Sequence, residues 1–155
     1  MTLTQPYRST EHQDWRTADE QERLEGLSRT RLRESKTLLE SGEYAGAYYL
    51  AGYVVECALK ACIAKQTLRH DFPNKERANT SWSHSLIGLI QVAGLQTALD
   101  AERKADPQFD ANWGVVKDWR TETRYSSKDQ RQAEGLIRAI SDRRHGLLKW
   151  LRRHW

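Results

Sequence analysis

Cysteine is nearly absent: the 155 residues hold two, Cys57 and Cys62, inside one apolar segment. On a helix, residues five apart point about 140° away from each other, too divergent for a disulfide. They read as small buried hydrophobes in a reducing compartment and offer no basis for a cysteine-based metal site. Long apolar runs are missing too. No stretch of about 18 uninterrupted apolar residues occurs, which argues against a membrane span. Residues 1–15 lack the apolar core of a secretory signal, so the expected compartment is the cytoplasm. Sustained alternation of β-branched residues is also lacking, so no sheet is expected. The three prolines (Pro6, Pro73, Pro107) and nine glycines are scattered, and there is no repeat or low-complexity tract.

What is present is charge, 30% of residues, and helical periodicity. The length suits one domain with its own core. Residues 1–16 read as a flexible polar arm pinned by Tyr7 and Trp15, and residues 17–155 as a single helical domain. Thr17 and Glu20 have capping-box spacing, so the first helix is predicted over 17–40, with Leu24, Leu27, Leu32, Leu38 and Leu39 on one side. Ser41-Gly42 breaks it, and a second helix is predicted over 44–68. There Tyr44, Ala47, Leu50, Ala51, Val54, Val55, Ala58, Leu59 and Cys62 cover more than half the circumference, as expected of a central helix. Its polar residues are mainly Glu56 and Lys60, whose i,i+4 order suggests a helix-surface ion pair of about 0.2–0.5 kcal/mol.

Residues 69–81 read as a loop. A short third helix opens at His84-Ser85-Leu86 and stops at Gly94. Residues 96–105 add one or two turns, and Asn112 is positioned to cap a short helix carrying Val115, Val116 and Trp119. Residues 120–126 link to a last helix, predicted from about residue 128 to near the C-terminus, with Ser127 and Gln130 at capping-box spacing. The chain is therefore expected to be all-α, an up-and-down bundle of four to five helices.

Basicity is local. Residues 131–155 carry seven Lys or Arg against two carboxylates, a surplus larger than the +4 of the whole chain. On one continuous helix, Ala133, Leu136, Ile137, Ile140, Leu147, Leu148 and Leu151 form the apolar face. Arg131, Arg138, His145, Lys149 and Arg152 form a basic stripe suited to a phosphate backbone. The plain alternative is a solvated face with Glu134 and Arg138 paired. Arg144 and Arg31 project onto apolar sides; either their stems reach out to water or these faces meet a partner chain.

The familiar catalytic signatures are missing: no G-x-S-x-G, P-loop, H-E-x-x-H or dinucleotide-binding glycine pattern occurs. The five histidines share no metal-ligand spacing, so no metal and no cofactor is expected. One metal-free chemistry remains open, RNA cleavage with a histidine base and an arginine stabilising the phosphorane. Two pairs have an arginine seven residues before a histidine, Arg77 with His84 and Arg138 with His145. Chance supplies such spacings. Arg138 and His145 are the better candidates because both fall on the stripe.

The run from Ala47 through Tyr53, Glu56 and Ala58-Leu59-Lys60 to Ala61 resembles the second helix of a HEPN domain. Its A-x-x-x-A-x-x-x-x-E-x-A-L-K core is moderately specific, and later segments agree in order: His84-Ser85-Leu86 with Leu89, Trp119-Arg120 leading to Arg124-Tyr125-Ser126, and the end at Leu148-Lys149-Trp150-Leu151. The likeness covers about residues 25–152. It implies a bundle that often dimerises, frequently beside a minimal nucleotidyltransferase in toxin–antitoxin or related systems. Many similar proteins are metal-independent ribonucleases with an R-x(4–6)-H motif at the start of the last helix. At that place this chain has Arg124-Tyr125-Ser126 with no histidine following, similar to the nucleotidyltransferase-associated branch.

Two functions follow as expectations. One is a homodimeric RNA- or nucleotide-binding module, partnered by a nucleotidyltransferase, with Arg120, Arg124, Tyr125, Arg131, Lys149 and Arg152 as contacts. The other is a metal-independent endoribonuclease with His145 as base and Arg138 as stabiliser. A bare scaffold is the third, blandest option.

Overall fold

The computed structural model describes residues 11–69 and 83–155, with side chains described over 18–67 and 83–155. Tyr7, Trp15 and Arg77 therefore lie outside what is described of side chains. Among the described residues the chain is all-helical, as its patterning predicts: seven α-helices and one 3-10 turn, with no strand. Five of the helices have ten residues or more.

Two long helices form the frame. α1 spans Glu11–Glu40 and α2 spans Tyr44–Arg69. α1 starts six residues before Thr17, so the Thr17–Glu20 pair lies inside the helix and not at its start. No proline or glycine interrupts residues 11–16, and propagation costs little once a helix is nucleated. The turn between the helices falls where expected. Gly42 adopts φ +80°, while the Glu43 amide donates to Leu38 O and the Gly42 amide to Leu39 O, a left-handed cap that satisfies the terminal carbonyls. The buried Ser28 hydroxyl donates to Val54 O at 2.7 Å, tying α1 to α2.

α2 is the centre of the bundle. Ala47, Ala51, Val54, Val55, Ala58, Leu59 and Cys62 are fully buried, and both cysteines are buried free thiols. Residues 44–67 are long and apolar enough to cross a membrane by composition, yet 61% of the qualifying window is buried within the bundle. After α2 come α3 (Leu86–Val92), α4 (Gln96–Ala105), α5 (Pro107–Val116), α6 (Gln130–Ser141) and α7 (Leu147–Leu151); α3, α6 and α7 pack on α2, while α5 packs on α6 and α7 and α4 on α5. α3 is capped by the Ser85 hydroxyl and closed by Gly94 at φ +67°. α5 begins at Asp106, whose side chain accepts from the Gln108 and Phe109 amides, followed by Pro107 in the first turn. Asn112 is thus inside α5 rather than at its cap, and Trp119 lies beyond the helix end.

The last segment departs most from expectation. α6 opens with a capping box between Asp129 and Gln132, two residues after the predicted Ser127–Gln130 pair. It then ends at Ser141, and a turn separates it from α7. Asp142 Oδ1 accepts from the Arg144 amide at 2.8 Å and the His145 amide at 2.6 Å, diverting donors a continuous helix would send to earlier carbonyls. Gly146 passes so close to the preceding turn that a Cβ would stand 2.3 Å from Asp142 O and 2.7 Å from Asp142 N. The single rod behind the predicted basic stripe therefore does not form.

Candidate phosphate-contacting face

The polar side of α2 is where chemistry gathers. Glu56 is not on the surface as its spacing suggested; it is 3% exposed. Lys60 Nζ donates to Glu56 Oε1 at 2.8 Å, and His84 Nδ1, from the loop before α3, meets the same oxygen at 2.9 Å. A lysine and an imidazole N–H on one oxygen are the kind of partners a desolvated carboxylate requires. Glu56 Oε2 is buried without a hydrogen-bond partner. One turn earlier, the Tyr53 ring stands edge-on to His84, with centroids 6.3 Å apart. The Tyr49 and Tyr53 hydroxyls are 3.2 Å apart. Burial, followed by the bond to Tyr49, pushes the Tyr53 phenol upward.

Trp119 closes this face. Its indole is buried against α2 at Gly52, edge-on to Tyr53 at 5.2 Å, and its Nε1 has no partner. Beyond it runs the 3-10 turn Thr121–Tyr125, which carries Arg124 and Tyr125 just after Arg120. The Arg124 guanidinium is favoured by the nearby hydroxyl of Tyr49 and then by that of Tyr125, which raises its already high pKa. It also stacks on the Tyr125 ring at 4.6 Å. Tyr125 is 79% exposed. Between the His84 loop and the 117–122 segment lies a cavity of about 420 Å³, lined in part by His84, Ser85, Lys117, Asp118, Arg120 and Glu122.

Arg120, Arg124 and Tyr125 are thus carried on one short segment, with Arg124 in contact with Tyr125 and Arg120 lining the cavity. Arg131 and Arg138 lie on α6, while Lys149 lies on α7 and Arg152 just after it. All four are exposed. Among the described residues, Arg131, Arg138 and Lys149 take part in no ion pair, and Glu134 accepts from Gln130 instead of Arg138. Arg152 stacks near Trp155. Arg31 leans on Glu34, and Arg144 is exposed in the turn after α6.

No hydrogen bond joins Arg138 to His145. His145 Nδ1 donates to Asp106 Oδ2 at 2.7 Å, and Asn112 Nδ2 donates to His145 O at 2.9 Å, so the histidine latches the α6–α7 turn onto α5. The same contact, ahead of the Phe109 and Gln108 amides, holds the Asp106 carboxyl below its usual range. No group of three or more His, Cys, Asp or Glu among the described residues is arranged to hold a metal ion.

Glu56, Lys117 and the role of His84 were missed from sequence. Glu56 did carry a signal: it is the one carboxylate within the apolar run 44–63, an expensive place for a charge. The cavity had no signal, because its walls, residues 84–87 and 117–122, are far apart in the chain. The HEPN domain family model matches residues 27–153, most of the chain. No curated protein and no solved structure matches it.

Proposed function

Because the chain belongs to the HEPN domain family, which is nucleotide- and RNA-related in general, we propose that it is a binding module for RNA or a nucleotide. Its contact face is centred on Arg120, Arg124 and Tyr125. The observation that carries this is the placement of the two arginines and the 79% exposed Tyr125 on one short segment, anchored by Trp119 against the central helix. Guanidinium groups engage phosphate oxygens, and an exposed aromatic ring stacks a base. Arg131, Lys149 and Arg152 extend the field from the neighbouring helices. The module works as a homodimer in the cytoplasm, with a nucleotidyltransferase as partner protein in a toxin–antitoxin or defence-type system.

The test is binding of short single-stranded RNA across a salt series. Affinity falls steeply with salt, and Arg120→Ala and Arg124→Ala each weaken binding and lower the log–log slope by about one. Salt-independent binding, or binding indifferent to both variants, rejects the assignment. Co-expression with a nucleotidyltransferase should yield a stable complex, and sedimentation a dimer.

A ribonuclease using His145 and Arg138 is the second reading. One contact favours it: Asp106 holds Nδ1 of His145 and leaves Nε2 as the free ring nitrogen. Cleavage of RNA in EDTA to 2′,3′-cyclic ends, abolished by His145→Ala, is the result it requires.

A further inference from the structure

We propose that His84 is an anion-binding imidazole, oriented by the buried Glu56, and that with Lys117 and Arg120 it takes one phosphate group into the cavity they line. This rests on the binding reading above and places a phosphate subsite within it.

Glu56 is 3% exposed on the central helix. A buried ion pair is seldom a net gain for folding, since an apolar side chain of similar volume avoids the desolvation cost. The carboxylate does something no apolar residue can do there. It accepts the His84 Nδ1–H at 2.9 Å, fixing the ring's orientation and leaving Nε2 as the nitrogen available to a ligand. Lys60, 2.8 Å from the same oxygen, offsets the charge of Glu56.

The His84 side chain is 53% exposed and lines the cavity of about 420 Å³ that Lys117 and Arg120 also line. Asp118 and Glu122 share the wall, and among the described residues none of these four is held in an ion pair. The cavity sets Lys117, Arg120 and the His84 imidazole beside two carboxylates. An ammonium and a forked guanidinium are donors suited to phosphate oxygens, and an imidazole held at Nδ1 presents Nε2 beside them. His145 has a carboxylate on its Nδ1 as well. There, however, Asp106 is also the cap of α5 and the His145 backbone is bound by Asn112 and Asp142, so the group serves to join helices.

The experiment titrates inorganic phosphate, and separately a short single-stranded RNA, into ¹⁵N-labelled protein while following the histidine ring resonances. In the unmodified protein the His84 Nε2 signal shifts with both probes. His84→Ala weakens RNA binding about tenfold. Glu56→Gln weakens it less and changes the His84 ¹⁵N pattern from one fixed tautomer to a mixture, a signature that lost packing alone does not produce. An unmoved His84 signal, with RNA still bound through Arg124, overturns this inference and leaves the binding module standing. A His84 shift with phosphate but no RNA binding at all supports the subsite and overturns the RNA reading. An unchanged tautomer in Glu56→Gln overturns the role given to Glu56.

Discussion

Trp119 sits where Gly52 leaves room for it. A Cβ added at Gly52 would lie 1.8 Å from the indole, a distance no packing adjustment of the Cβ itself relieves. The ring also holds the start of the 120–125 segment against α2, so this one contact sets where Arg120 and Arg124 stand. Gly52→Ala is therefore expected to do two things. It destabilises the fold by about 1–3 kcal/mol through overpacking, read as a lowered urea midpoint, and it weakens RNA binding at temperatures where the variant is still folded. A variant that keeps both properties would mean that the segment is placed by something other than the Gly52–Trp119 fit. Glycine within an apolar helix pattern is a visible anomaly, but its partner lies 67 positions away and no local pattern names it.

At the scale of elements, the break between α6 and α7 decides how much of the charge argument survives. Both carboxylates that shape it are held below their usual range, Asp106 first by the His145 hydrogen bond and Asp142 first by the His145 amide and then the Arg144 amide. A carboxylate depressed in the folded state contributes stability above its unfolded pKa and loses it as pH falls through the folded value. Melting temperature is accordingly expected to drop on acidification below about pH 4, and Asp106→Asn or Asp142→Asn should flatten that drop. Identical pH profiles in wild type and both variants would remove the latch from the account. Local signals did fix three other helix ends: Gly42, Ser85 and Gly94 act where their chemistry says they should. The break at 142–146 was illegible for a physical reason. Apolar spacing continues through it, and an aspartate and a glycine are each tolerated in a helix. What ends the helix is the Asp142 carboxylate taking the Arg144 and His145 amides, in a turn that Asp106 and Asn112 then hold by His145, so the cause is tertiary as well as local.

For the whole molecule, the class of fold was legible because a helix as apolar as α2 needs cover on several sides, and the other helices offer apolar stripes to supply it. The candidate face was legible in part: Arg120, Arg124 and Tyr125 were named from the motif order, whereas the Glu56–His84 contact spans 28 residues and emerges only when the loop before α3 folds back on α2. The division of the basic segment now has a measurable consequence. Arg131 and Arg138 stand on α6, Lys149 on α7 and Arg152 just beyond it, so these four do not follow one helix axis. A phosphate backbone tracking a straight stripe would lose about two counterions' worth of salt dependence when two of its cations are removed. With the cations divided between two helices, the double variant Arg138→Ala, Lys149→Ala is expected to lower the slope by less than one, while Arg120→Ala with Arg124→Ala lowers it by about two. Measured side by side on the same RNA, the reverse order would move the interface from the Trp119–Tyr125 segment to the C-terminal helices.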